Sequence, residues 1–214
     1  MFYIMEQDSA LSPTDIRQRI LKISTRLFAE MGFEGTSLRD IAKEAQVNVA
    51  MVSYYFGNKE GLYLECISHF AKAKVETELE ILKQPKSAEE FKTRFRQIVE
   101  NKLRVFAEDR DAHKIIMREM QTQRDPEFYK KFVDQLEPVF RTLQGFFQGA
   151  IEEGIVKPQF NAELLTMMLM GILSHPCIAE KAMEMKLGYT LADTEVRAQY
   201  VDQICEIFFA GVMV

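Results

Sequence analysis

The sequence predicts an all-α protein with an N-terminal three-helix domain of the helix-turn-helix type and a larger C-terminal helical domain. Apolar residues recur three and four positions apart over long segments, and residues that cap helices precede most of these segments. No segment shows the apolar and polar alternation that is typical of a half-buried strand. With 214 residues, the chain can bury one large or two small hydrophobic cores. We predict one domain over residues 1–58, ordered from about residue 13, and a second over residues 59–214.

Three short-range patterns predict the helices of the first domain. Thr14 and Asp15 open the first predicted helix, whose apolar repeat runs from Ile16 to Met31 and which ends near Gly32. Ser37 is a good N-cap for a short second helix, and Asn48 is one for a third helix that runs to about Tyr55. Two short helices joined by a tight turn form a helix-turn-helix motif.

The third helix has an outward face that water would solvate poorly. Its inward residues are expected to be Val52 and Phe56. Five residues remain mostly outside the core, namely Val49, Met51, Ser53, Tyr54 and Tyr55. Valine and methionine can touch thymine methyl groups in a DNA major groove, and serine and tyrosine hydroxyls can reach phosphates or base edges. The motif therefore indicates DNA binding.

The second domain is predicted to be a bundle of longer helices. Pro85 stops the first of them, Ser87 and Glu90 form a capping box for the next, and Pro138 should bend a later one. The predicted helices cover residues 59 to about 82, 88–108, a shorter stretch through Met117 and Met120, 126 to about 154, 162 to about 185 with an interruption near His175-Pro176, and 194–214.

The N-terminal segment resembles the tetracycline-repressor (TetR) family in five stretches of sequence. These are Phe28-Ala29-Glu30-Met31-Gly32-Phe33, Thr36-Ser37, Ile41-Ala42-Lys43-Glu44-Ala45-Gln46-Val47, Tyr54-Tyr55-Phe56 and Asn58-Lys59-Glu60-Gly61-Leu62. The chain departs from the family pattern at Ala50, where glycine is frequent, and at Ser53, where tyrosine is common. Both departures lie on the third helix, so they bear on which operator is read.

The resemblance implies a bacterial one-component regulator, with a DNA-binding head and a C-terminal helical domain that binds an effector and dimerises. The implied DNA contacts are Ser37, Arg39, Lys43, Asn48, Val49, Ala50, Met51, Ser53, Tyr54, Tyr55 and Lys59. Lys59 begins a helix, where a cation is unfavourable unless an anion such as a phosphate is near. The alternatives are aromatic packing for the two tyrosines and solvated helix charges for Arg39 and Lys43.

The charge of the whole chain does not itself favour DNA binding. The net charge is −5, and residues 1–60 hold seven Lys and Arg against eight Asp and Glu. The distribution is more informative, because no acidic residue occurs from Ala45 to Asn58. We expect a small contact surface that depends on dimerisation for affinity.

Methionine and phenylalanine are frequent in the middle of the chain. Flexible methionine with aromatic residues can line an adaptable apolar pocket. The resemblance to the TetR family implies an effector pocket among these helices. The candidate pocket residues are Phe106, Met117, Met120, Phe140, Phe147, Met167, Met170 and His175. The alternative for each residue is ordinary packing in the core of a helix bundle.

The last two predicted helices are candidates for a homodimer interface, because a single small helix-turn-helix rarely binds DNA specifically alone. The candidate residues are Leu165, Met168, Leu169, Ile172, Ile204, Phe208 and Val212. The alternative is that they form the core of one chain.

Several classes of protein are disfavoured. The three cysteines are scattered, no apolar run reaches about 18 residues, and the N-terminus lacks the pattern of a signal peptide, so we expect a cytoplasmic protein with no membrane partner. Cys66 and His69 lie three apart, but two ligands are too few, so we expect no metal and no cofactor. No catalytic motif argues for an enzyme.

The leading interpretation is a repressor that binds a pseudo-palindromic double-stranded operator as a homodimer and is released by an unidentified small apolar or amphipathic effector. The alternative is a DNA-binding regulator without a small-molecule effector, which activates or works through a protein partner.

Overall fold

The computed structural model describes residues 12–79, 81–122 and 125–214, with only the backbone described at 73–78 and 177. The helices are α1 (Pro13–Gly35), α2 (Leu38–Glu44), α3 (Val49–Phe56), α4 (Lys59–Leu79), α5 (Ala88–Glu108), α6 (Arg110–Thr122), α7 (Pro126–Glu152), α8 (Ala162–Ile178), α9 (Glu180–Leu187) and α10 (Thr194–Val212). The only extended pairing in these residues is an isolated antiparallel bridge between Val156 and Met213. The predicted all-α class is confirmed.

The contacts within the chain divide it into two compact units, and the division falls between Cys66 and Ile67, inside α4. The predicted boundary lay before α4. The first turns of α4 belong to the first unit because Leu62, Tyr63 and Cys66 are buried there, with the Tyr63 ring 4.9 Å from that of Phe28.

The first unit contains α1 to α3 and the start of α4. The helix α1 begins at Pro13, one residue before the predicted start, and Ser12 caps it in a capping box with Asp15. Gly32, where the helix was predicted to end, has a φ of 76° and interrupts α1 before a last turn to Gly35. Thr36 then fastens the chain to α1, because its hydroxyl donates to the carbonyl oxygens of Leu27 and Gly32.

The second unit is built on a core of aromatic and aliphatic side chains from α5, α7, α8 and α10. Phe91 of α5 stacks on Phe146 of α7, with ring centroids 5.1 Å apart, and Phe95 contacts Phe208 of α10 at 4.9 Å. Each of these rings is at most 6% exposed, so burial of large apolar surfaces stabilises this unit.

The interruption predicted near His175-Pro176 separates α8 from α9 and occurs at Ala179. Pro176 has no N–H to donate to the carbonyl of Ile172, four residues earlier. The hydroxyl of Tyr200 on α10 donates to that carbonyl instead, at 2.9 Å. One hydrogen bond therefore compensates for the proline and joins α8 to α10.

The N-terminus of α5 differs in detail from the predicted capping box. The Ser87 hydroxyl accepts from the N–H of Glu90, as expected. The Glu90 carboxylate accepts from the N–H of Lys86 instead of that of Ser87, and also from Arg94.

The structure corrects the predicted dimer interface. Leu165, Leu169, Ile204, Phe208 and Val212 are between 0 and 6% exposed. Their side chains pack in the core of their own chain, so a partner cannot reach them. Ile172 is half-buried against the same core, and Met168, at 59% exposure, lies on the surface.

Across the described residues, no single helix is long and apolar enough to span a membrane, although α8 up to Pro176 and α9 together meet that length and composition across a 56° bend.

Candidate functional site

Local hydrogen bonds fix the two helices of the helix-turn-helix. The Ser37 hydroxyl accepts from the N–H of Asp40, whose carboxylate accepts from the Ser37 N–H in return. Both the hydroxyl and the N–H of Ser37 donate to Asp40, and these bonds lower the pKa of the Asp40 carboxyl. Asn48 caps α3, since its side-chain oxygen accepts from the N–H of Met51 at 2.7 Å. The predicted caps of α2 and α3 are thus confirmed.

The turn between α2 and α3 has one unusual backbone conformation. Gln46 has a φ of 54°, in the left-handed region that non-glycine residues seldom adopt. The chain turns at this residue between α2 and α3, with Ala45 fully buried before it and the third helix beginning at Val49.

One residue anchors α3 and the rest of the helix remains accessible. Val52 is fully buried, as predicted, whereas Phe56 is only half-buried, with the Arg17 guanidinium 5.2 Å above its ring. Tyr54 is 83% exposed and Val49 is 37% exposed. The other candidate contacts on this helix and its cap are exposed (Asn48, Ala50) or half-buried (Met51, Ser53, Tyr55).

The two tyrosines form one aromatic edge on α3. The ring centroids of Tyr54 and Tyr55 are 5.3 Å apart in an edge-to-face arrangement. The Tyr54 ring contacts Tyr55, yet most of its surface is exposed. A side chain that binds a ligand outside the chain needs such an exposed surface.

The cations of the first unit differ in whether a carboxylate of the same chain pairs with them. Arg39 and Lys43 of α2 are exposed, and among the described residues no ion pair involves either side chain. Arg17 instead pairs with Glu65 at 2.6 Å. Arg39 and Lys43 are therefore available to phosphates, and their assignment as DNA contacts stays a prediction.

Lys59 has a partner within its own chain that the sequence did not indicate. Its ammonium donates to the carbonyl of Phe33 at 2.9 Å and lies 4.3 Å from the centroid of the Phe33 ring. The negative partner inferred for this cation at the start of α4 is thus supplied by the end of α1. Lys59 fastens α4 to α1, and a phosphate contact there stays a prediction.

Sequence reasoning missed the role of Gly61 in placing α3. A Cβ at this position would stand 2.4 Å from the carbonyl oxygen of Phe56, the last residue of α3. The N–H of Gly61 donates to Asn58, which caps α4. The glycine therefore permits α4 to start directly against the end of α3. In the sequence, its signal is a glycine three residues after a capping asparagine.

The predicted effector residues do not form one site. Phe147 is fully buried in the bundle core, and Met120 and Met167 are 44% and 56% exposed on the surface. His175 is also exposed, while Met117, Phe140 and Met170 are half-buried. Periodicity cannot distinguish core, lining and surface. Of the predicted set, Phe106 lines a cavity described in the second unit, and an effector role for the other residues stays a prediction.

That cavity has a volume of about 40 Å³ and lies where the end of α5 and the start of α6 meet α9. It is lined by Phe106, Ala107, Arg110, His113, Lys114, Pro176, Glu180, Leu191 and Ala192. Arg110 and Glu180 form an ion pair at 2.8 Å. Sequence reasoning missed this group, since its members come from four separate segments.

His113 is the most unusual residue of the cavity. It is 6% exposed, and its Nε2 atom is buried without a hydrogen-bond partner. Burial lowers the pKa of its imidazole to about 4, so the ring is neutral at physiological pH. The Phe106 ring packs on it with centroids 4.2 Å apart.

The pair Cys66 and His69 does not resemble a metal site. Cys66 is buried, and burial raises the pKa of its thiol to about 12, whereas His69 is exposed. Searched over the described residues, the chain holds no group of three His, Cys, Asp or Glu side chains arranged for a metal ion.

Comparison with known proteins identifies the architecture. The sequence profile of bacterial regulatory proteins of the tetR family matches residues 20–66, which contain most of α1, all of α2 and α3, and the start of α4. The chain carries the DNA-binding domain of the TetR family in its N-terminal unit. It is thus a DNA-binding transcriptional regulator, and regulators of this family bind operator DNA and act as dimers.

The similarity to individual TetR-family proteins extends beyond the head. The HTH-type transcriptional regulator YttP of Bacillus subtilis is 28% identical over 173 residues, 77% of this chain and 80% of that protein. The transcriptional repressor NicS of Pseudomonas putida is 38% identical over 53 residues, a quarter of each chain. The crystal structure of FadR from Bacillus subtilis, in complex with stearoyl-CoA, covers 86% of this chain and 95% of its own, with a TM-score of 0.71 and 19% identity. At that identity the last similarity concerns the fold alone.

Proposed function

We propose that this protein is a repressor that binds a pseudo-palindromic operator as a homodimer and leaves it when a small organic molecule binds the second unit. One observation carries the DNA-binding part: α3 buries Val52 and exposes apolar and hydroxyl side chains, with no acidic residue between Ala45 and Asn58. Such a surface fits a major groove better than it fits water.

The contacts divide by chemistry. Val49 and Met51 are suited to thymine methyl groups, and the Tyr54 hydroxyl, on the most exposed ring of α3, is suited to a phosphate or a base edge. Arg39 and Lys43 supply the sequence-independent attraction to phosphates. The local distribution of charge matters here, because the net charge of the chain is −5.

The proposed homodimer uses the outer faces of α8 and α10, two helices that the Tyr200 to Ile172 hydrogen bond joins. Leu164, Met167 and Met168 of α8 are 54 to 59% exposed, and Ile207 of α10 is 68% exposed. Exposed apolar side chains of this size on neighbouring helices are typical of a protein interface. A second copy is the occupant we propose, because two recognition helices are needed for two half-sites about one DNA turn apart.

Release by an effector follows from linkage. A small molecule that binds more tightly to a conformation unable to match the operator must weaken DNA binding by the same factor. The repressor name of NicS and the stearoyl-CoA bound to FadR support this proposal by analogy. We propose no catalytic activity, and a DNA target implies a cytoplasmic location.

A regulator without a small-molecule effector remains the second candidate. It is favoured by the small volume of the cavity, about 40 Å³, and by the dispersal of the predicted lining residues. Saturable release of operator DNA by any small molecule would decide against it.

The first experiment is a genome-wide binding profile, followed by titration of the protein with the operator found. Tyr54→Ala should weaken operator binding about tenfold, which corresponds to roughly 1.4 kcal/mol, with an unchanged thermal midpoint, because the ring is 83% exposed. Tyr189→Ala, which removes another exposed tyrosine, is the matched control.

Uracil in place of thymine at single operator positions tests the apolar contacts directly. Loss of one buried methyl group should weaken binding by about 0.8 kcal/mol, or roughly fourfold. Unchanged affinity for Tyr54→Ala and for every uracil operator would contradict α3 as the reading element.

A further inference from the structure

We propose that the cavity lined by the Arg110–Glu180 ion pair binds the carboxylate of a small organic acid, and that this acid is the effector of the protein. The inference rests on the proposed function, since it names the chemistry and place of the effector. It replaces the apolar pocket expected from the methionine-rich sequence with a smaller, cationic one.

The lining of the cavity is suited to an anion with an apolar body. Two side chains, Arg110 and Lys114, carry a positive charge, and one, Glu180, carries a negative charge. The remaining walls are mostly apolar, from Phe106, Ala107, Pro176, Leu191 and Ala192. A cationic ligand would face two like charges, while a wholly apolar one would desolvate the Lys114 ammonium without compensation.

His113 provides a second and independent observation. The residue lines this cavity with a side chain that is 6% exposed, and its buried Nε2 atom has no hydrogen-bond partner. A buried ring nitrogen without a partner is uncommon and is expensive to maintain. A neutral imidazole that carries its proton on Nε2 donates to a carboxylate oxygen, so a bound acid would satisfy the atom.

The size of the cavity limits the ligand. Its volume of about 40 Å³ exceeds the roughly 10–15 Å³ needed for one water molecule and accommodates a carboxylate with little more. A short aliphatic acid meets this limit, with its carboxylate at His113 and Arg110 and its apolar part toward Phe106 and Leu191.

The Arg110–Glu180 pair couples the site to the fold. Arg110 is the first residue of α6 and Glu180 the first of α9, and their side chains are 44% and 32% exposed. A ligand carboxylate would compete with Glu180 for the Arg110 guanidinium, which prefers carboxylates in a planar, two-point geometry. Binding would therefore release α9 from α6, a discrete change that an effector needs in order to shift a conformational equilibrium.

The test uses the full-length protein and the imidazole resonances of its three histidines in NMR spectra. His113→Gln assigns the His113 signal. Acetate, propionate and butyrate are titrated, each beside its neutral amide. We expect a saturable shift of the His113 signal with at least one acid, at an affinity about tenfold or more above that of its amide.

Variants of the ion pair sharpen the test. Arg110→Met should weaken acid binding about tenfold or more, whereas Glu180→Gln should strengthen it severalfold, because it removes the internal competitor. Arg141→Met and Glu137→Gln, which break an exposed ion pair on α7, are the matched controls and should change nothing. No shift with any acid in either the wild type or Glu180→Gln, or equal binding of acids and amides, would overturn the carboxylate site.

Titration of the protein–operator complex separates this proposal from the broader one. An acid that binds at His113 and lowers operator affinity supports both. An acid that binds there without changing operator affinity overturns the effector role of the cavity. If another compound releases the DNA while no acid binds, this inference fails and the proposed repressor function stands.

Discussion

His113 is a single residue whose environment makes the stability of the second unit depend on pH. Burial lowers the pKa of its imidazole to about 4, whereas a histidine in an unfolded chain titrates near 6.5. Between these values the unfolded chain binds a proton that the folded chain does not. The contribution of neutral His113 to stability is therefore fully present above pH 6.5 and is lost as the pH falls toward 4.

We expect the free energy of unfolding of the second unit to fall by about 2 kcal/mol between pH 7.5 and pH 5 because of this one group. His113→Gln should remove that part of the pH dependence, whatever it does to the stability at pH 7.5. His69→Gln, at an exposed histidine, is the control. Urea unfolding at a series of pH values measures the effect, and an identical pH profile in His113→Gln would show that the imidazole is not desolvated.

Residues whose roles depend on near neighbours were predictable from the sequence. Ser37 and Asn48 cap α2 and α3 as predicted, because a cap requires only a side-chain oxygen and an N–H three residues later. Lys59 was harder. Its partner, the carbonyl of Phe33, is 26 positions away in the sequence, and the helical pattern carries no information on that contact.

At the level of the helix, α8 shows why most of the predicted interface residues lie in the core instead. The helix is apolar all round, so periodicity does not indicate which side faces the core. In the structure Leu165 and Leu169 face inward, while Leu164 and Met168, each one residue earlier, face outward. The helix was predicted correctly, and the choice of face depended on the packing of α5 and α7 against it.

The break between α8 and α9 leads to a prediction about Tyr200. Its hydroxyl occupies the carbonyl of Ile172 that Pro176 cannot reach, so Tyr200→Phe would leave a partly buried carbonyl without its donor. We expect a loss of about 1 kcal/mol in urea unfolding. Tyr189→Phe, at a tyrosine that is 40% exposed, should change nothing. Equal stability of the two variants would mean that water replaces the hydroxyl without loss.

For the whole molecule, charge and symmetry decide how DNA is bound. A chain with a net charge of −5 gains little from long-range attraction to DNA, so its affinity depends on a few contacts used twice. The exposed α3 is only eight residues long and buries little surface in a groove. Specific binding by such a small element requires a second copy at a fixed spacing.

The last prediction tests the proposed dimer with two adjacent residues of α10. Ile207 is 68% exposed and Phe208 is 6% exposed, so the same change should have opposite consequences at the two positions. Ile207→Glu should give a folded monomer, because it places a charge in the interface and leaves the core intact. Phe208→Glu should unfold the second unit, because it buries a charge among Phe95 and Phe147.

Light scattering reports the mass of each variant in solution, and circular dichroism reports its helix content. Val133→Glu, at an apolar residue of α7 that is 42% exposed, is the matched control and should remain a folded dimer. Ile207→Glu should also lose most of its operator affinity while Tyr54 and the rest of α3 are unchanged, since only the pairing of recognition helices is removed. A dimeric Ile207→Glu protein with full operator affinity would place the interface on another surface, whereas a folded, dimeric Phe208→Glu protein would contradict the burial of Phe208 in the core of one chain.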